Sequence, residues 1–270
     1  MECRAREVPV HYVEHGHGAP VLVLHGAGVD HREMLGALEP IFSELSNYRR
    51  IYPDLPGMGH TPAPDTLVGA DDVLEVLLAF IDGVIGDVRF RLIGHSAGTH
   101  YVRAIAGRRP DQVAALALIC PLGEDMRDLP ASQVLDASVD PGESLGGAEA
   151  REFRDYFVVQ TQATLDRYKE YVVPGMGLAD EIALQRIGQH WSFSTSPAEG
   201  QPYAGPVLII TGRHDSTVGY ASQWDLLGHY PRATFAVLDR AGHALPHEQP
   251  GLTKALILEW LDRAHERDAG

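Results

Sequence analysis

Two pentapeptides in this sequence match the pattern G-x-S-x-G, in which a serine occupies a tight turn between a strand and a helix. They are GHSAG at residues 94–98 and GESLG at residues 142–146. A nucleophilic serine needs a strand before the turn, flanking glycines, and a helix whose N-terminus faces developing negative charge. Ser96 meets all three conditions, whereas Ser144 lies among turn residues with no strand ahead of it. We therefore predict that Ser96 is the nucleophile, with a helix-capping serine as the alternative, and that Ser144 is a chance match.

A serine hydroxyl becomes an effective nucleophile only when a base takes its proton and a carboxylate orients that base. Among 14 histidines, His243 follows an apolar run and a glycine, where a strand should end. Asp215 likewise follows the buried-strand pattern VLIITG. His247 is the nearest rival for the base. Glu124 or Asp125 would be the orienting carboxylate if Asp215 were not.

The anionic oxygen of an acyl-transfer intermediate needs two backbone N–H donors, one of them from the residue after the nucleophile, here Ala97. The loop LHGAG could provide the second N–H donor from Ala27 or Gly28, although a simple glycine turn would have the same residues. We predict Ala27 as this donor. The predicted substrate contacts are His25, Gly26, Gly28, His95 and Trp191.

Alternating strand and helix patterns must position these residues. Short apolar runs, separated by helix-sized segments, begin at Pro20, Arg49, Arg89, Val113 and Pro206. This order predicts an α/β fold with a mostly parallel, doubly wound sheet, opened by an antiparallel edge hairpin that turns at Gly16 and Gly18. Residues 121–202 carry amphipathic stretches in place of strands. We predict a core of residues 1–120 and 203–270, and a helical cap of residues 121–202 inserted after the sixth strand, over the carboxyl edge of the sheet.

The composition narrows the classes of partner. A net charge of −15 over 270 residues argues against nucleic acid and anionic membranes, which attract positive surfaces. The start MECRAREVPV lacks the apolar core of a secretory signal, and Cys3 and Cys120 form no disulfide framework. We therefore expect a cytoplasmic protein that binds a small-molecule substrate, with no cofactor and no metal, as a monomer or a homodimer. The surface histidines His11, His15 and His17 are expected to be solvated.

In the motifs LHGAG, PDLPGMGHT, GHSAG, TGRHDSTV and AGHALPHEQP, the chain resembles the serine-nucleophile, lidded members of the α/β-hydrolase fold superfamily. The resemblance runs through the whole chain in order, apart from the insertion, and the order serine, aspartate, histidine is the order of that family. It implies an α/β-hydrolase fold and a structural role for Asp54. The roles implied for the site are Ser96 as nucleophile, His243 as general base and acid, Asp215 as its orienting carboxylate, and the N–H groups of Ala27 and Ala97 as the oxyanion hole.

Within this family, a serine nucleophile argues against dehalogenases and epoxide hydrolases, which carry aspartate there. A roofed pocket excludes polymers and the negative charge disfavours anions, so we predict a carboxylesterase-like hydrolase of a small, neutral, moderately apolar ester. The first alternative is C–C bond hydrolysis of a vinylogous diketone, whose acidic substrate should need a pocket cation such as Arg154, Arg167 or Arg186. A lactonase or thioesterase, and a hydrolase-fold small-molecule receptor that retains its triad, are the others.

Overall fold

The central feature of the computed structural model, which describes residues 1–123 and 125–269 without the side chains of residues 267–269, is an eight-stranded sheet. The strands of the described chain, in chain order, are β1 (Glu2–Ala5), β2 (Val8–Gly16), β3 (Ala19–Leu24), β4 (Tyr48–Pro53), β5 (Phe90–His95), β6 (Val113–Ile119), β7 (Asp136–Ala137), β8 (Val159–Gln160), β9 (Val207–Gly212) and β10 (Ala233–Leu238). All of them except β7 and β8, which pair with each other, belong to this sheet. The order across the sheet is β1-β2-β4-β3-β5-β6-β9-β10. Only the pairings of β2 with β1 and β4 are antiparallel, which confirms the predicted mostly parallel sheet.

Helices cover both faces of this sheet. They are α1 (His31–Phe42), α2 (Ala70–Val84), α3 (Ala97–Arg108), α4 (Gly147–Tyr156), α5 (Gln162–Arg167), α6 (Val173–Met176), α7 (Glu181–Gly188), α8 (Leu245–Glu248) and α9 (Pro250–Ala269). Because side chains alternate along a strand, Leu22 and Leu24 of β3 pack with α2 and α3, whereas Val21 and Val23 pack with α1 and α9. The sheet is therefore doubly wound, as predicted. In the part of the chain that the structure describes, no helix combines the length and apolarity needed to cross a membrane.

The segment between β6 and β9 is mostly helical. It contains α4 to α7, with a π-helical turn at Tyr168–Val172 joining α5 to α6. It also contains the parallel pair β7–β8, which the sequence did not indicate because two residues per strand carry no periodicity. Phe153, Phe157 and Tyr168 of this segment pack with Val29 and Ala244 from loops of the sheet domain. The helices thus lie over the loops that follow β3 and β10.

The edge hairpin turns at a different place from the prediction. β1 and β2 form it, and the chain turns at Arg6 and Glu7, where Arg6 adopts a φ of 55°. Gly16 and Gly18, both with positive φ, instead lead from β2 to β3, which lies on the far side of β4. Neither Arg6 nor Glu7 is a typical turn residue, so the sequence pattern placed the turn at the glycines.

The loop after β4 is held by one buried carboxylate, Asp54. Its Oδ1 accepts hydrogen bonds from the backbone N–H of His31 (2.9 Å) and from His31 Nδ1 (2.7 Å). Its Oδ2 accepts from the N–H of His60 (2.9 Å) and from His11 Nδ1 (2.8 Å), so His11 is paired rather than solvated. Burial tends to raise the pKa of Asp54, but the hydrogen bonds from His31 and His60 hold that pKa well below its usual value.

Close backbone contact joins β5, α3 and β3. A Cβ added to Gly98 would lie 2.5 Å from the carbonyl oxygen of Leu24 and 2.7 Å from that of His25. A Cβ on Gly94 would lie 2.8 Å from the carbonyl carbon of Gly98. Only glycine permits this approach without a shift of backbone, and the approach places the start of α3 beside the loop after β3.

Replacing Gly98 by alanine should lower the free energy of unfolding by about 3 kcal/mol or more, because backbone must move to admit the methyl group. Gly107 is the matched control in the same helix: it is exposed and nothing lies within 4 Å of its added Cβ. Gly107→Ala should raise stability by about 0.5–1 kcal/mol. Urea denaturation measures both, and equal effects would show that the contact at Gly98 is not tight.

Asp54→Asn should lower the free energy of unfolding by about 2–4 kcal/mol at neutral pH, because an amide nitrogen would face donors that need an acceptor. Since the folded-state pKa of Asp54 is lowered, its contribution is complete above the unfolded value of 3.8 and is lost as pH falls below it. The difference between wild type and variant should therefore shrink in acid. Asp65→Asn, at a fully exposed side chain, is the control that should change nothing measurable. A difference that does not vary with pH would contradict the assignment.

Candidate active site

The turn at Ser96 holds its hydroxyl at the carboxyl edge of the sheet. β5 leads directly into it and α3 begins at the next residue, while Ser96 itself adopts a φ of 48° and a ψ of −121°. Its N–H donates to the carbonyl of Ile119 at the end of β6 (3.0 Å). Ser144, by contrast, is an exposed residue at the end of a short 3₁₀ turn. The backbone strain at Ser96 marks it as the functional candidate of the two.

Ser96, His243 and Asp215 form one continuous hydrogen-bonded chain. Ser96 Oγ lies 2.8 Å from His243 Nε2, and His243 Nδ1 lies 2.8 Å from Asp215 Oδ2. Asp215 Oδ1 also accepts from the N–H groups of Thr217 and Val218, each at 2.9 Å. Burial alone would raise the pKa of Asp215, but the charge and hydrogen bond of His243 lower it. An ionised Asp215 therefore favours the His243 tautomer that accepts the serine proton.

The alternative residues do not join this chain. Glu124 lies outside the described residues, and Asp125 is an exposed residue in the loop after β6. His247 is buried in α8, and neither of its ring nitrogens has a hydrogen-bond partner within the described chain. Ser96, His243 and Asp215, which the sequence predicts as the reacting group, are thus the residues that the structure brings together.

The loop after β3 supplies a backbone N–H beside the serine. Gly26 donates its N–H to Glu33 Oε2 (2.9 Å), and the N–H of Gly28 contacts Met58 Sδ at 3.2 Å. For Ala27, between them, the described residues provide no acceptor. Ala97 is the first residue of α3, and the first N–H groups of a helix have no partner within it. Ala27 and Ala97 both border the cavity at Ser96, which makes their N–H groups the candidate donors there.

Two cavities meet at Ser96, and both are bordered by Ala27, Leu184 and Thr217 as well. The first, about 410 Å³, has mainly apolar walls, among them Leu55, Met58, Val73, Tyr101, Leu122 and Trp191. The second, about 470 Å³, contains His243 and is more polar, with Glu33, Glu152, Tyr156, Tyr168 and Glu181 among its walls. Within the described chain, no Lys or Arg side chain borders either cavity. We call them the apolar cavity and the histidine cavity.

The five predicted substrate contacts divide into two groups. Trp191 borders the apolar cavity, and Gly26 and Gly28 border the histidine cavity. His25 and His95 border neither. His25 is fully buried, donates from Nδ1 to the carbonyl of Gly26 (2.7 Å) and accepts the N–H of Leu55 at Nε2 (2.9 Å). Neither ring therefore forms part of the wall of either cavity, and the position of these residues beside a catalytic loop did not reveal which way each ring packs.

A buried ion pair that the sequence analysis missed lies behind the serine. Glu33 Oε1 is 2.8 Å from His95 Nδ1, and the two side chains are 3% and 1% exposed. His95 Nε2 lies 3.0 Å from the carbonyl oxygen of His243, so it donates to that loop. The signal for Glu33 was its position on the stripe of α1 that also carries Met34, Ala37 and Leu38, where a charged residue must be buried.

Glu248 is a second missed carboxylate, and it ties the insertion to the loop that carries His243. Its Oε1 accepts the N–H groups of Val158 (2.6 Å) and Val159 (3.0 Å), and its Oε2 accepts the N–H of Gly242 (2.7 Å). Burial nevertheless raises the pKa of Glu248 to about 7. Tyr156 of the insertion also packs edge-on against the His243 ring, at 5.5 Å between centroids.

Two groups of side chains have metal-binding composition. His11, His31 and Asp54 lie together, and so do His95, Cys120 and His243. In the first group both histidines hydrogen-bond to Asp54, and in the second His95 and His243 have carboxylate partners of their own. Hydrogen bonds to Asp54 and Asp215, together with the ion pair of His95 and Glu33, therefore account for the positions of the histidines in both groups.

Comparison with known proteins agrees with this architecture. The family model described as "Alpha/beta hydrolase family" matches residues 21–255. The chain is 26% identical over 268 residues to 2-hydroxymuconate semialdehyde hydrolase of Pseudomonas sp. (strain CF600), covering 92% of this chain and 89% of that protein. It is 28% identical over 267 residues to lipase LipV of Mycobacterium tuberculosis (strain ATCC 25618 / H37Rv), covering 93% of this chain and 97% of that one.

Among solved structures, an alpha/beta superfamily hydrolase from Oenococcus oeni PSU-1 superposes with a TM-score of 0.89 at 28% identity, over 98% of this chain and 99% of that one. The predicted fold is therefore confirmed. With the family model matching most of the sequence, and with relatives that include lipases and a C–C bond hydrolase, this chain belongs to the alpha/beta hydrolase family.

Proposed function

We propose that this chain hydrolyses a small, neutral, moderately apolar carboxylic ester through an acyl-enzyme on Ser96. The observation that carries the proposal is the unbroken hydrogen-bond chain from Ser96 through His243 to Asp215, at the junction of two cavities. In the proposed reaction, His243 Nε2 takes the hydroxyl proton as Ser96 Oγ attacks the ester carbonyl carbon. Asp215 stabilises the imidazolium that forms.

The carbonyl oxygen becomes negatively charged in this step, and the N–H groups of Ala27 and Ala97 are the proposed donors to it. The intermediate collapses when His243 gives its proton to the departing alcohol oxygen. A water molecule, deprotonated by His243 in turn, then attacks the acyl carbon, and Ser96 leaves with its proton restored. The residues 121–202 would act as a lid in this scheme, over a core of residues 1–120 and 203–270.

The two cavities can be assigned to the two halves of the ester. The leaving oxygen must come within hydrogen-bond reach of His243 Nε2, and only the histidine cavity of the two includes that residue in its walls. The alcohol half therefore belongs in the histidine cavity and the acyl half in the apolar cavity. Walls of leucine, valine, methionine and tryptophan favour an apolar acyl chain of limited size.

C–C bond hydrolysis of a vinylogous diketone is the second candidate, favoured by the similarity to 2-hydroxymuconate semialdehyde hydrolase. The cationic residues that an acidic substrate would need are engaged elsewhere. Arg154 pairs with Asp140, Arg186 pairs with Asp65, and Arg167 donates to the carbonyl of His247. This arrangement favours a neutral ester over an acidic diketone. A receptor that keeps the same triad would label at Ser96 but turn over very slowly.

The first test is steady-state hydrolysis of p-nitrophenyl esters of graded acyl length. Wild type should show one preferred length, and Ser96→Ala should lower kcat by about 10⁶-fold, as loss of a triad serine does. Ser144→Ala is the control with the same chemical change in the other pentapeptide, and it should keep wild-type kcat. Loss of activity in Ser144→Ala, or activity retained in Ser96→Ala, would overturn the assignment. Labelling of Ser96 by a fluorophosphonate without ester turnover would favour the receptor or the C–C hydrolase.

Trp191→Ala should shift the preferred acyl chain to longer esters, because removing the indole enlarges the apolar cavity where we place the acyl half. Phe193 is the matched control: both rings stack on His100, at 4.5 Å and 4.1 Å, but only Trp191 borders the cavity. Phe193→Ala should therefore leave the length preference unchanged. The measurement is kcat/KM against acyl length for the three proteins. A shift in Phe193→Ala as large as that in Trp191→Ala would contradict the cavity assignment.

A further inference from the structure

We propose that Glu33 and His95 are positioning residues, which together hold three segments in one arrangement. These segments are the oxyanion loop (residues 25–30), the serine turn (residues 95–97) and the histidine loop (residues 239–244). The inference rests on the proposed serine chemistry at Ser96. It concerns side chains that touch no reacting atom in that chemistry: the Glu33–His95 ion pair acts through the three loops to which it is bonded.

The contacts of the pair reach all three loops. Glu33, from the first turn of α1, accepts the N–H of Gly26 at Oε2 (2.9 Å) and faces His95 Nδ1 with Oε1 (2.8 Å). His95 is the last residue of β5 and directly precedes Ser96. Its Nε2–H donates to the carbonyl oxygen of His243 (3.0 Å). The pair thus connects Gly26, which precedes Ala27, with the carbonyl group of His243, the proposed base. His95, a member of the pair, itself precedes Ser96.

The two ring nitrogens of His95 make different contacts. Nε2–H donates to a carbonyl oxygen, which only accepts, whereas Nδ1 lies 2.8 Å from Glu33 Oε1 as an ion-pair contact without the angle of a hydrogen bond. Burial tends to lower the pKa of His95, but the charge of Glu33 raises that pKa above its usual value. Burial likewise tends to raise the pKa of Glu33, and the charge of His95 lowers it to about 2.

The other titratable groups around the pair leave this charge state in place. Asp215 contributes a further negative charge near His95. Burial lowers the pKa of His247 to about 4, and it lowers the pKa of His25 as well. Both of these rings are therefore neutral at pH 7, whereas the carboxylates around His95 raise its pKa.

A buried ion pair adds little net stability, because apolar residues of the same volume often stabilise the fold as much or more. Its specific effect is geometric, since each charge–dipole contact here fixes the position of one loop. Oxyanion donors lower a barrier only when they are already in place. A displacement of about 1 Å in such a site can cost about 10²-fold in rate.

The test is Glu33→Gln, which keeps the size of the side chain and removes its charge. We expect kcat for the preferred p-nitrophenyl ester to fall by about 10²-fold, with KM changed by less than about twofold. The rate at which a fluorophosphonate labels Ser96 should fall in parallel, because it depends on the same nucleophile and oxyanion donors.

Glu39→Gln is the matched control on the same helix. Glu39 forms another partly buried ion pair, in which Arg50 Nη2 lies 2.6 Å from Oε2 and Arg50 Nε lies 3.0 Å from Oε1. It borders neither cavity, so Glu39→Gln should lower Tm while keeping wild-type kcat and labelling rate. Equal losses of kcat in the two variants would mean that Glu33 acts only through general stability, and would overturn the proposal.

A double-mutant cycle tests whether the two residues act as one unit. His95→Gln alone and Glu33→Gln with His95→Gln should each lower kcat about as far as Glu33→Gln does. Losses that multiply would show separate roles and contradict the pairing. A folded Glu33→Gln with wild-type kcat and labelling rate would overturn the inference while leaving the proposed function intact.

Failure of the proposed function gives a different result. Wild type that labels at Ser96 but hydrolyses no ester would remove the ester proposal, and the labelling rates of the variants would still decide the positioning role. Wild type that neither labels nor hydrolyses would overturn both.

Discussion

The left-handed turn at Ser96 is the constraint on which the rest of this edge of the sheet depends. A residue with a side chain adopts a φ of 48° only when its surroundings impose it. Here β5 runs directly into the turn, and Gly98 lets the start of α3 meet the carbonyls of Leu24 and His25. These contacts fix the hydroxyl of Ser96 relative to the sheet, so every other loop of the site must be brought to it.

Buried carboxylates hold those loops in position. Glu33, Asp54, Asp215 and Glu248 each accept backbone N–H groups from a loop or helix start at this edge. An ionised carboxylate has two acceptor oxygens and no proton to place, so it can satisfy several loop donors at once. For the first three, a neighbouring histidine and then these backbone N–H groups lower the pKa in spite of burial. Part of the negative charge of this chain is therefore structural.

The sequence was sufficient for the fold and for the residues that the structure brings together at the serine. Ser96 and Asp215 each follow a strand pattern, and parallel strands end at the same edge, so their proximity could be predicted. Glu33 and Glu248 could not be found in this way, because a glutamate in a helix is expected on the solvent face. Their backbone N–H partners leave no trace in the residue types, and the one signal for Glu33 was its place on the buried stripe of α1. The turn at Arg6 was missed for a related reason, since its conformation is imposed by pairing and not by residue type.

Electrostatics links the proposed chemistry to the proposed positioning. Glu33, Glu152 and Glu181 border the histidine cavity, and among the described residues no Lys or Arg side chain does. The negative charge of these carboxylates opposes negative charge on the substrate. The charge that develops on the ester oxygen would then have to be met locally, by the N–H groups of Ala27 and Ala97. Under this scheme the reaction is most sensitive to where the loop after β3 lies, and that loop is the one whose N–H is bonded to Glu33.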